Sequence, residues 1–283
     1  MATLKQIRQR IRTAKNIQQI TRAMKLVAAA RLKRATDRVV EARPYADKMK
    51  EFMQSLAAAG ELPEHPLMQK REVAKIGLLL ITADRGLAGS YNTNLIRKAG
   101  DFVAASETPL RLITVGRKGT QFFGKRGYDI ARSFTVSSAG ATLENVQEVS
   151  KYLRELFESG EVDAIYVCYS KFYSAIRQSP EVVQVLPISA PESSGGNADF
   201  LFEPDAVSLL DTLLPRYFLT LVQQAMFEGT ASEFGARMTA MTSATDAAGR
   251  MIQDLTLKAN RERQAGITKE ILEVVGGAEA LKS

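Results

Sequence analysis

The chain has 283 residues, of which 45% are hydrophobic and 24% are charged, and its formal net charge is +7. No apolar run approaches the roughly 18 residues of a membrane span, so the sequence predicts no transmembrane helix. The single cysteine, Cys168, excludes an internal disulfide and a thiolate metal cluster. The single histidine, His65, lies between prolines with no Ser–His pair or metal-ligand set around it, so neither nucleophilic nor metal chemistry is indicated.

The positive charge is concentrated at the N-terminus. Residues 1–34 contain ten lysines and arginines and no aspartate or glutamate. Such a segment favours an acidic partner, whether nucleic acid, anionic lipid or acidic protein. It is also similar in composition to a mitochondrial transit peptide. However, no serine precedes Ser55, and the helical pattern continues past the length of a presequence.

Periodicity predicts a long first helix within residues 1–59. Thr3 and Gln6 have the spacing of a capping box. Apolar residues then recur at spacings of three and four: Leu4, Ile7, Ile11, Ala14, Ile17, Ile20, Met24 and Val27. Pro44 is expected to bend or interrupt the helix. At about 1.5 Å per residue the segment would reach about 80 Å, so it needs an equally long partner.

A second helical segment is predicted over residues 205–283. Pro215 suits the first turn of a fresh helix there. One apolar stripe comprises Ala248, Ile252, Leu255 and Ala259, and it resumes at Ile267, Ile271, Val274, Ala278 and Leu281. Because the two terminal stripes are narrow and flanked by polar residues, we expect them to pair as a long antiparallel coiled coil.

The middle of the chain, residues 75–190, has a different pattern. Strands are predicted at residues 75–82, 110–115, 128–131, 163–169 and 181–188, and helices at 92–105, 118–125 and 143–158. This alternation predicts an α/β domain: a parallel, Rossmann-like doubly wound sheet inserted between the N- and C-terminal helices. Pro187 indicates that the last strand lies at an edge, and residues 189–204 form a linker.

Two loops of this domain are candidate anion sites. Residues 83–92 (ADRGLAGSYN) and 116–120 (GRKGT) follow the first two strands and place glycines and cations at helix starts. Neither matches a dinucleotide-binding or P-loop motif, so tight turns are the favoured interpretation. A dehydrogenase is disfavoured, because the second strand ends at Gly116, Arg117 and Lys118 and not at an acidic ribose ligand.

Two alternatives remain open on these residues. One is a nucleotide-binding α/β module with coiled-coil arms for dimerisation. The other is a basic coiled coil that binds nucleic acid, although no aromatic residue precedes Tyr45 and the chain has no tryptophan, which leaves no base-stacking platform on the basic helix.

The sequence resembles the gamma subunits of bacterial F-type ATP synthases over essentially its whole length. The most specific segment is residues 267–280 (ITKEILEVVGGAEA), preceded by Arg263 and Gln264. The opening helix matches at residues 7–11 (IRQRI) and 20–25 (ITRAMK), and the central domain at residues 84–92 (DRGLAGSYN). The cysteine insertion of chloroplast members is absent from the sequence, so thiol control is not expected.

The resemblance implies a central-stalk, or rotor-shaft, subunit. Such a subunit couples ion-driven rotation of a membrane c ring to ATP synthesis or hydrolysis in a ring of alpha and beta subunits. It has no catalytic residues, cofactor or metal of its own. The implied partners are the alpha and beta subunits, an epsilon-type subunit and the c ring, with one copy of the chain per complex and no nucleic acid. The implied location is the cytoplasmic side of the inner membrane, to which the chain would be attached peripherally by its contact with the c ring.

The resemblance also implies which residues lie at subunit interfaces. Met24 and Lys25 would lie near acidic loops of the beta subunits. The ring contacts would be made by Arg10, Arg263, Gln264, Thr268 and Glu270. Arg8 of the opening helix and Asp84 and Arg85 of the central loop match the family's motifs and complete the predicted set.

Overall fold

The computed structural model describes residues 3–58, 65–189 and 206–280. Its elements are, in order, α1 (Leu4–Ala58), a short 3-10 helix (Pro66–Met68), β1 (Ile76–Ile81), α2 (Tyr91–Ala105), β2 (Leu110–Val115), α3 (Arg117–Gly124), β3 (Ile130–Phe134), α4 (Leu143–Glu158), β4 (Ala164–Phe172), β5 (Gln178–Leu186) and α5 (Ala206–Ala280). The expected order of elements, an α/β domain between two long helices, is therefore confirmed.

The chain divides into two compact units. The first, here called the coil unit, contains the residues up to Val27 and those from Met238 onward. The second, here called the sheet unit, contains residues 28–237. Both α1 and α5 contribute a segment to each unit.

The sheet unit is built on a five-stranded sheet of order β3-β2-β1-β4-β5. Strands β1 to β4 are parallel. The order reverses between β1 and β4, so right-handed crossovers place α2 and α3 on one face of the sheet and α4 on the other. Because both faces are covered, all six residues of β1 are buried. The doubly wound sheet predicted from the sequence is confirmed.

The fifth strand is antiparallel, so the expectation of an all-parallel sheet is wrong at this edge. Only residues 173–177 separate β4 from β5, and a parallel return needs a crossover of a dozen or more residues. The connection is instead a tight turn in which the backbone N–H groups of Tyr173 and Ser174 both donate to the carbonyl of Arg177. The edge position predicted for this strand is confirmed.

In the coil unit α1 and α5 pair antiparallel. Thr245 Oγ1 donates to Thr21 Oγ1 at 2.8 Å, and a Cβ added to Gly249 would lie 3.1 Å from Gln18 Nε2. Buried residues on α1 follow heptad spacing at Ile7, Ala14 and Thr21. On α5, Met241 and Ala248 are seven residues apart, and the next buried residue, Ala259, follows eleven residues later. Seven-residue spacing between two helices is the geometry of a coiled coil, as the sequence predicted.

The apolar stripe predicted on α1 is wrong at three of its positions after Ala14. Ile17, Ile20 and Val27 are exposed, whereas Gln18 is half-buried and Thr21 is buried in the seam. A coiled-coil seam repeats every 3.5 residues, so its positions differ from those picked out by apolar character alone. The small residues of α5 leave room for polar side chains of α1 opposite them. An additional apolar face of α1 is therefore left outward.

Both long helices continue through a proline. The break at Pro44 and the helix start at Pro215 are not observed, because α1 runs to Ala58 and α5 already begins at Ala206. Proline costs a helix about 3 kcal/mol by removing a donor and crowding the preceding turn. In α5 the fully buried Leu214 and Phe218 flank Pro215, and their packing offsets that cost.

Candidate functional site

The crevice where a doubly wound sheet holds its ligand lies outside the carboxyl ends of β1 and β4. Helix α5 fills it. Tyr91 Oη donates to the carbonyl of Gly229 at 3.0 Å, and a Cβ on Gly229 would meet Ile81 at 3.3 Å. On the β4 side, Ser232 Oγ donates to the carbonyl of Ser170 at 2.9 Å. Burial raises the pKa of Tyr91 well above its ordinary value, so this contact is made by a neutral phenol.

The loop at residues 116–120 has no free donors for an anion at the start of α3. The backbone N–H of Arg117 donates to Asp84 Oδ1 at 2.9 Å and that of Lys118 to the carbonyl of Ala83 at 3.1 Å. The N–H of Gly119 donates to Thr82 Oγ1 at 2.9 Å. The first turn of a helix binds an anion through these N–H groups, so the tight-turn interpretation holds.

Asp84 serves the fold of the sheet unit. Its second oxygen, Oδ2, accepts from the backbone N–H of Val136 at 3.2 Å, and its side chain is only 17% exposed. The carboxylate therefore ties the loop after β1 to α3 and to the segment after β3. Its predicted role at a subunit interface stays a prediction.

Arg85 and Leu87, in contrast, are exposed at the tip of the same loop. Arg237 of α5 stabilises this loop. Its Nη2 donates to the carbonyl of Gly86 at 3.3 Å, and its Nη1 pairs with Glu233 Oε1 at 2.6 Å. Burial raises the pKa of Glu233, while Arg237 and Arg31 oppose that rise. The Glu233–Arg237 pair has the i,i+4 spacing of a helical ion pair, but its contact with Gly86 could not be predicted from the sequence, because the two residues lie 151 positions apart.

In the coil unit, α5 extends beyond its partner. Counting outward from the Thr21–Thr245 pair places Leu4, the first residue of α1, opposite Glu262. The remaining residues, 263–280, have no α1 segment opposite them and span roughly 27 Å at about 1.5 Å per residue. Here we call residues 263–280 the overhang.

The overhang exposes apolar side chains along its described length. Ile271, Leu272 and Val274 are 57%, 66% and 72% exposed. Ile267, Ile271 and Val274 were expected to resume the paired stripe, and that expectation is wrong, because they are exposed and lie beyond the position opposite Leu4. The side chain of Ala278 and residue Leu281 lie outside what the structure describes. A cluster of exposed aliphatic residues on one helix is typical of a protein contact surface.

The predicted interface residues form four groups. Exposed positions of the coil unit carry Arg8 and Arg10, and the overhang carries Arg263, Gln264, Thr268 and Glu270. Met24 and Lys25 are half-buried along the paired helices. Asp84 and Arg85 belong to the sheet unit. Within the overhang, Thr268 Oγ1 donates to the carbonyl of Gln264 at 3.0 Å.

Two kinds of site are absent from the described parts of the chain. No group of three or more His, Cys, Asp or Glu side chains among residues 3–58, 65–189 and 206–280 could hold a metal ion. In the same ranges, no helix has both the length and the apolar content needed to pass through a bilayer.

The fold and these surfaces define a class of protein. It has a coil unit of two paired helices, a sheet unit whose ligand crevice is filled by the chain itself, and exposed surfaces suited to protein contacts. A family profile described as ATP synthase matches residues 3–281. The chain belongs to the ATP synthase gamma-chain family.

Relatives of similar length support this assignment. The chain is 45% identical to the ATP synthase gamma chain of Desulfitobacterium hafniense and 46% identical to that of Moorella thermoacetica, over the full length of both partners in each case. The OSCP/F1/c-ring structure of the Euglena gracilis mitochondrial ATP synthase includes a chain of the same fold, with a TM-score of 0.69, 18% identity, and coverage of 98% of this chain and 94% of that one. A chain in the central stalk/c-ring structure of the Tetrahymena thermophila mitochondrial ATP synthase has the same fold, with a TM-score of 0.61 at 22% identity, covering 80% of this chain and 99% of that one.

Proposed function

We propose that this chain is the rotor-shaft subunit of an F-type ATP synthase and that it performs no chemistry itself. It couples ion-driven rotation of a membrane c ring to ATP synthesis or hydrolysis in a ring of alpha and beta subunits. Family membership supports the central-stalk role. The observation that carries the mechanical part is the overhang, a helix with exposed aliphatic residues that needs a surrounding protein surface.

The mechanism follows from unequal contacts. A shaft drives a catalytic site between conformations only if it binds those conformations with different free energies. Reversing a 1:99 population requires a difference of about 5.5 kcal/mol. The surface of the coil unit is uneven, because the exposed Ile17, Ile20 and Val27 lie among arginines and lysines of α1, so different orientations would present different contacts to a surrounding ring.

Charge favours acidic protein partners for α1. Residues 4–34 lie in one helix and carry ten cations and no carboxylate. We infer that acidic loops of the beta subunits contact Met24 and Lys25, and that Arg8 and Arg10, with Arg263, Gln264, Thr268 and Glu270, contact the surrounding ring. In the sheet unit, Asp84 and Arg85 complete the proposed interface.

The sheet unit is proposed to bind the epsilon-type subunit and the c ring. Attachment to the membrane is then indirect and peripheral, on the cytoplasmic side of the inner membrane, with one copy of the chain per complex. ATP and magnesium are bound by the neighbouring subunits, since the chain's own crevice is filled by Gly229 and Ser232 of α5.

Alanine substitutions at Arg10 and Arg263 test the proposed contacts. We expect the variants to assemble with alpha and beta subunits while ATP-driven proton pumping in reconstituted vesicles falls relative to ATP hydrolysis. Arg12→Ala and Arg261→Ala are the controls, because each is exposed two positions away on the same helix. Equal loss of assembly and pumping, or equal effects in the controls, would contradict these contacts.

A further inference from the structure

The sheet unit contains a basic cavity that the rotor role does not use. Its volume is about 190 Å³. It is lined by Arg31, Arg34, Ala35 and Arg38 of α1, by Ala139 and Ala141 of the loop before α4, and by Phe227 and Thr230 of α5. All of these residues belong to the sheet unit. The three arginines lie on one side of α1 because their spacing of three and four residues follows the helical turn.

Two of the arginines are fixed in place by the loop. Arg31 Nη1 donates to the carbonyl of Ser138, and Arg38 Nη1 donates to the carbonyl of Ala141 at 2.9 Å. Thr230 Oγ1 accepts from the backbone N–H of Ala141 at 3.3 Å and fixes the loop from the α5 side. A guanidinium carries five N–H donors, so these contacts hold the two side chains while leaving most of their donors for a ligand.

The charge in the cavity is not neutralised locally. Among the residues that the structure describes, no carboxylate oxygen lies within 4 Å of the side-chain nitrogens of Arg31, Arg34 or Arg38. Glu233 attracts Arg31 at longer range, but its carboxylate is already paired with Arg237 at 2.6 Å. Three positive charges around one cavity favour a multiply charged anion over a single carboxylate.

The dimensions of the cavity narrow the choice of ligand. Pockets that enclose a drug-sized molecule measure about 300–1,000 Å³, so this cavity is too small for a whole nucleotide. It has room for one phosphate group. The neighbouring depression shares Arg38 and Phe227 but has Glu41 in its wall, whereas the charged residues that line the smaller cavity are all arginines.

We propose that this cavity binds a phosphate-type oxyanion, supplied either as inorganic phosphate or as the terminal phosphate of a nucleotide whose remainder stays outside. The bound anion bridges α1 to the loop at residues 137–142 and stabilises the sheet unit by mass action. The proposal does not depend on the rotor assignment, since it concerns binding by the isolated chain.

Calorimetric titration of the full chain tests the site. Inorganic phosphate and, separately, magnesium-free ADP are titrated at constant ionic strength with excess chloride. The test variant is Arg34→Gln. Arg31 and Arg38 hold the loop by hydrogen bonds and Arg34 does not, so its replacement should leave the loop in place. Lys33→Gln is the matched control: it removes the same charge from the adjacent, exposed position, which does not line the cavity.

We expect saturable binding of one phosphate per chain. Arg34→Gln should weaken this binding about tenfold or more, and Lys33→Gln less than about twofold, because only the Arg34 substitution removes a charge-assisted hydrogen bond to the anion. Arg34→Lys, which keeps the charge but loses the fork, should fall between them. Tighter binding of ADP than of phosphate, with the same sensitivity to Arg34→Gln, identifies a nucleotide as the source; phosphate binding without ADP binding identifies the free ion. Absence of saturable binding of both probes, or equal weakening by the Arg34 and Lys33 substitutions in chains with unchanged melting temperatures, overturns the proposal.

Discussion

Gly116 is the position at which the structure predicts the most severe effect of adding a single methyl group. It lies between β2 and α3 with φ = +90°. A Cβ at this position would lie 2.0 Å from the carbonyl oxygen of Thr82 and 2.7 Å from its carbonyl carbon. The neighbouring atom is backbone and not the end of a flexible side chain, so the contact can be relieved only by moving β1 away from β2.

The expected cost of Gly116→Ala combines two effects. A left-handed conformation costs a residue with a Cβ about 1–2 kcal/mol. Separating the strand ends also breaks the hydrogen bonds from Thr82 N and Thr82 Oγ1 to the carbonyl of Val115, each worth about 1 kcal/mol. With the packing lost around them, we expect a decrease of at least about 4 kcal/mol in the free energy of unfolding. Gly127→Ala is the matched control, because φ is +78° but a Cβ there would meet nothing within 4 Å; we expect it to cost only about 1–2 kcal/mol.

Urea denaturation followed by tyrosine fluorescence measures this difference. The chain has no tryptophan, and all eight of its tyrosines lie in residues 28–237, so the signal reports the sheet unit. A Gly116→Ala chain that unfolds within about 1 kcal/mol of Gly127→Ala would refute the close approach of Gly116 to Thr82 and the hydrogen-bonded junction built on it.

Three further predictions concern other parts of the molecule. Asp84→Ala should lower the free energy of unfolding of the sheet unit by about 2–4 kcal/mol, because two backbone donors lose their acceptor. Replacement of the exposed Arg85 by Ala should change it by less than about 0.5 kcal/mol. Similar values for the two variants in urea denaturation would contradict the structural role of Asp84. Burial raises the pKa of Cys168 to about 12, so its thiolate is scarce at pH 8, and mass spectrometry should find iodoacetamide adducts only after denaturation; rapid labelling of the folded chain would be inconsistent with the buried position. Deleting residues 263–283 should leave the tyrosine-detected unfolding midpoint unchanged and abolish ATP-driven proton pumping in the assembled complex, and a truncated chain that still pumps would remove the overhang from the mechanism.

Local signals in the sequence were sufficient for most of the element order. The capping box at Thr3 and Gln6 forms, with Thr3 N donating to Gln6 Oε1 at 3.0 Å and Gln6 N donating to Thr3 Oγ1 at 3.4 Å. Helix α4 begins and ends where periodicity predicted. The antiparallel direction of β5 was also available in principle, because the connection after Phe172 is too short for a crossover.

Features that depend on a distant partner were not predictable in this way. Periodicity selected Ile17 and Ile20 for the paired face of α1, but the seam follows the helix that faces it and contains Gln18 and Thr21 instead. The overhang likewise follows from the register between α1 and α5, which no single segment encodes. Asp84 matched a family motif, yet its two hydrogen bonds within the sheet unit become visible only once α3 and β3 are placed beside it.

The central claim, that this chain turns inside a catalytic ring, is tested most directly by watching it turn. The chain carries a bead through a cysteine introduced at exposed Lys125, in a Cys168→Ser background, and is assembled with alpha and beta subunits fixed to a surface. Adding MgATP is expected to produce sustained rotation of the bead in one direction, which stops when ATP is removed. ATP hydrolysis by the assembled complex with a stationary, firmly attached bead would contradict it.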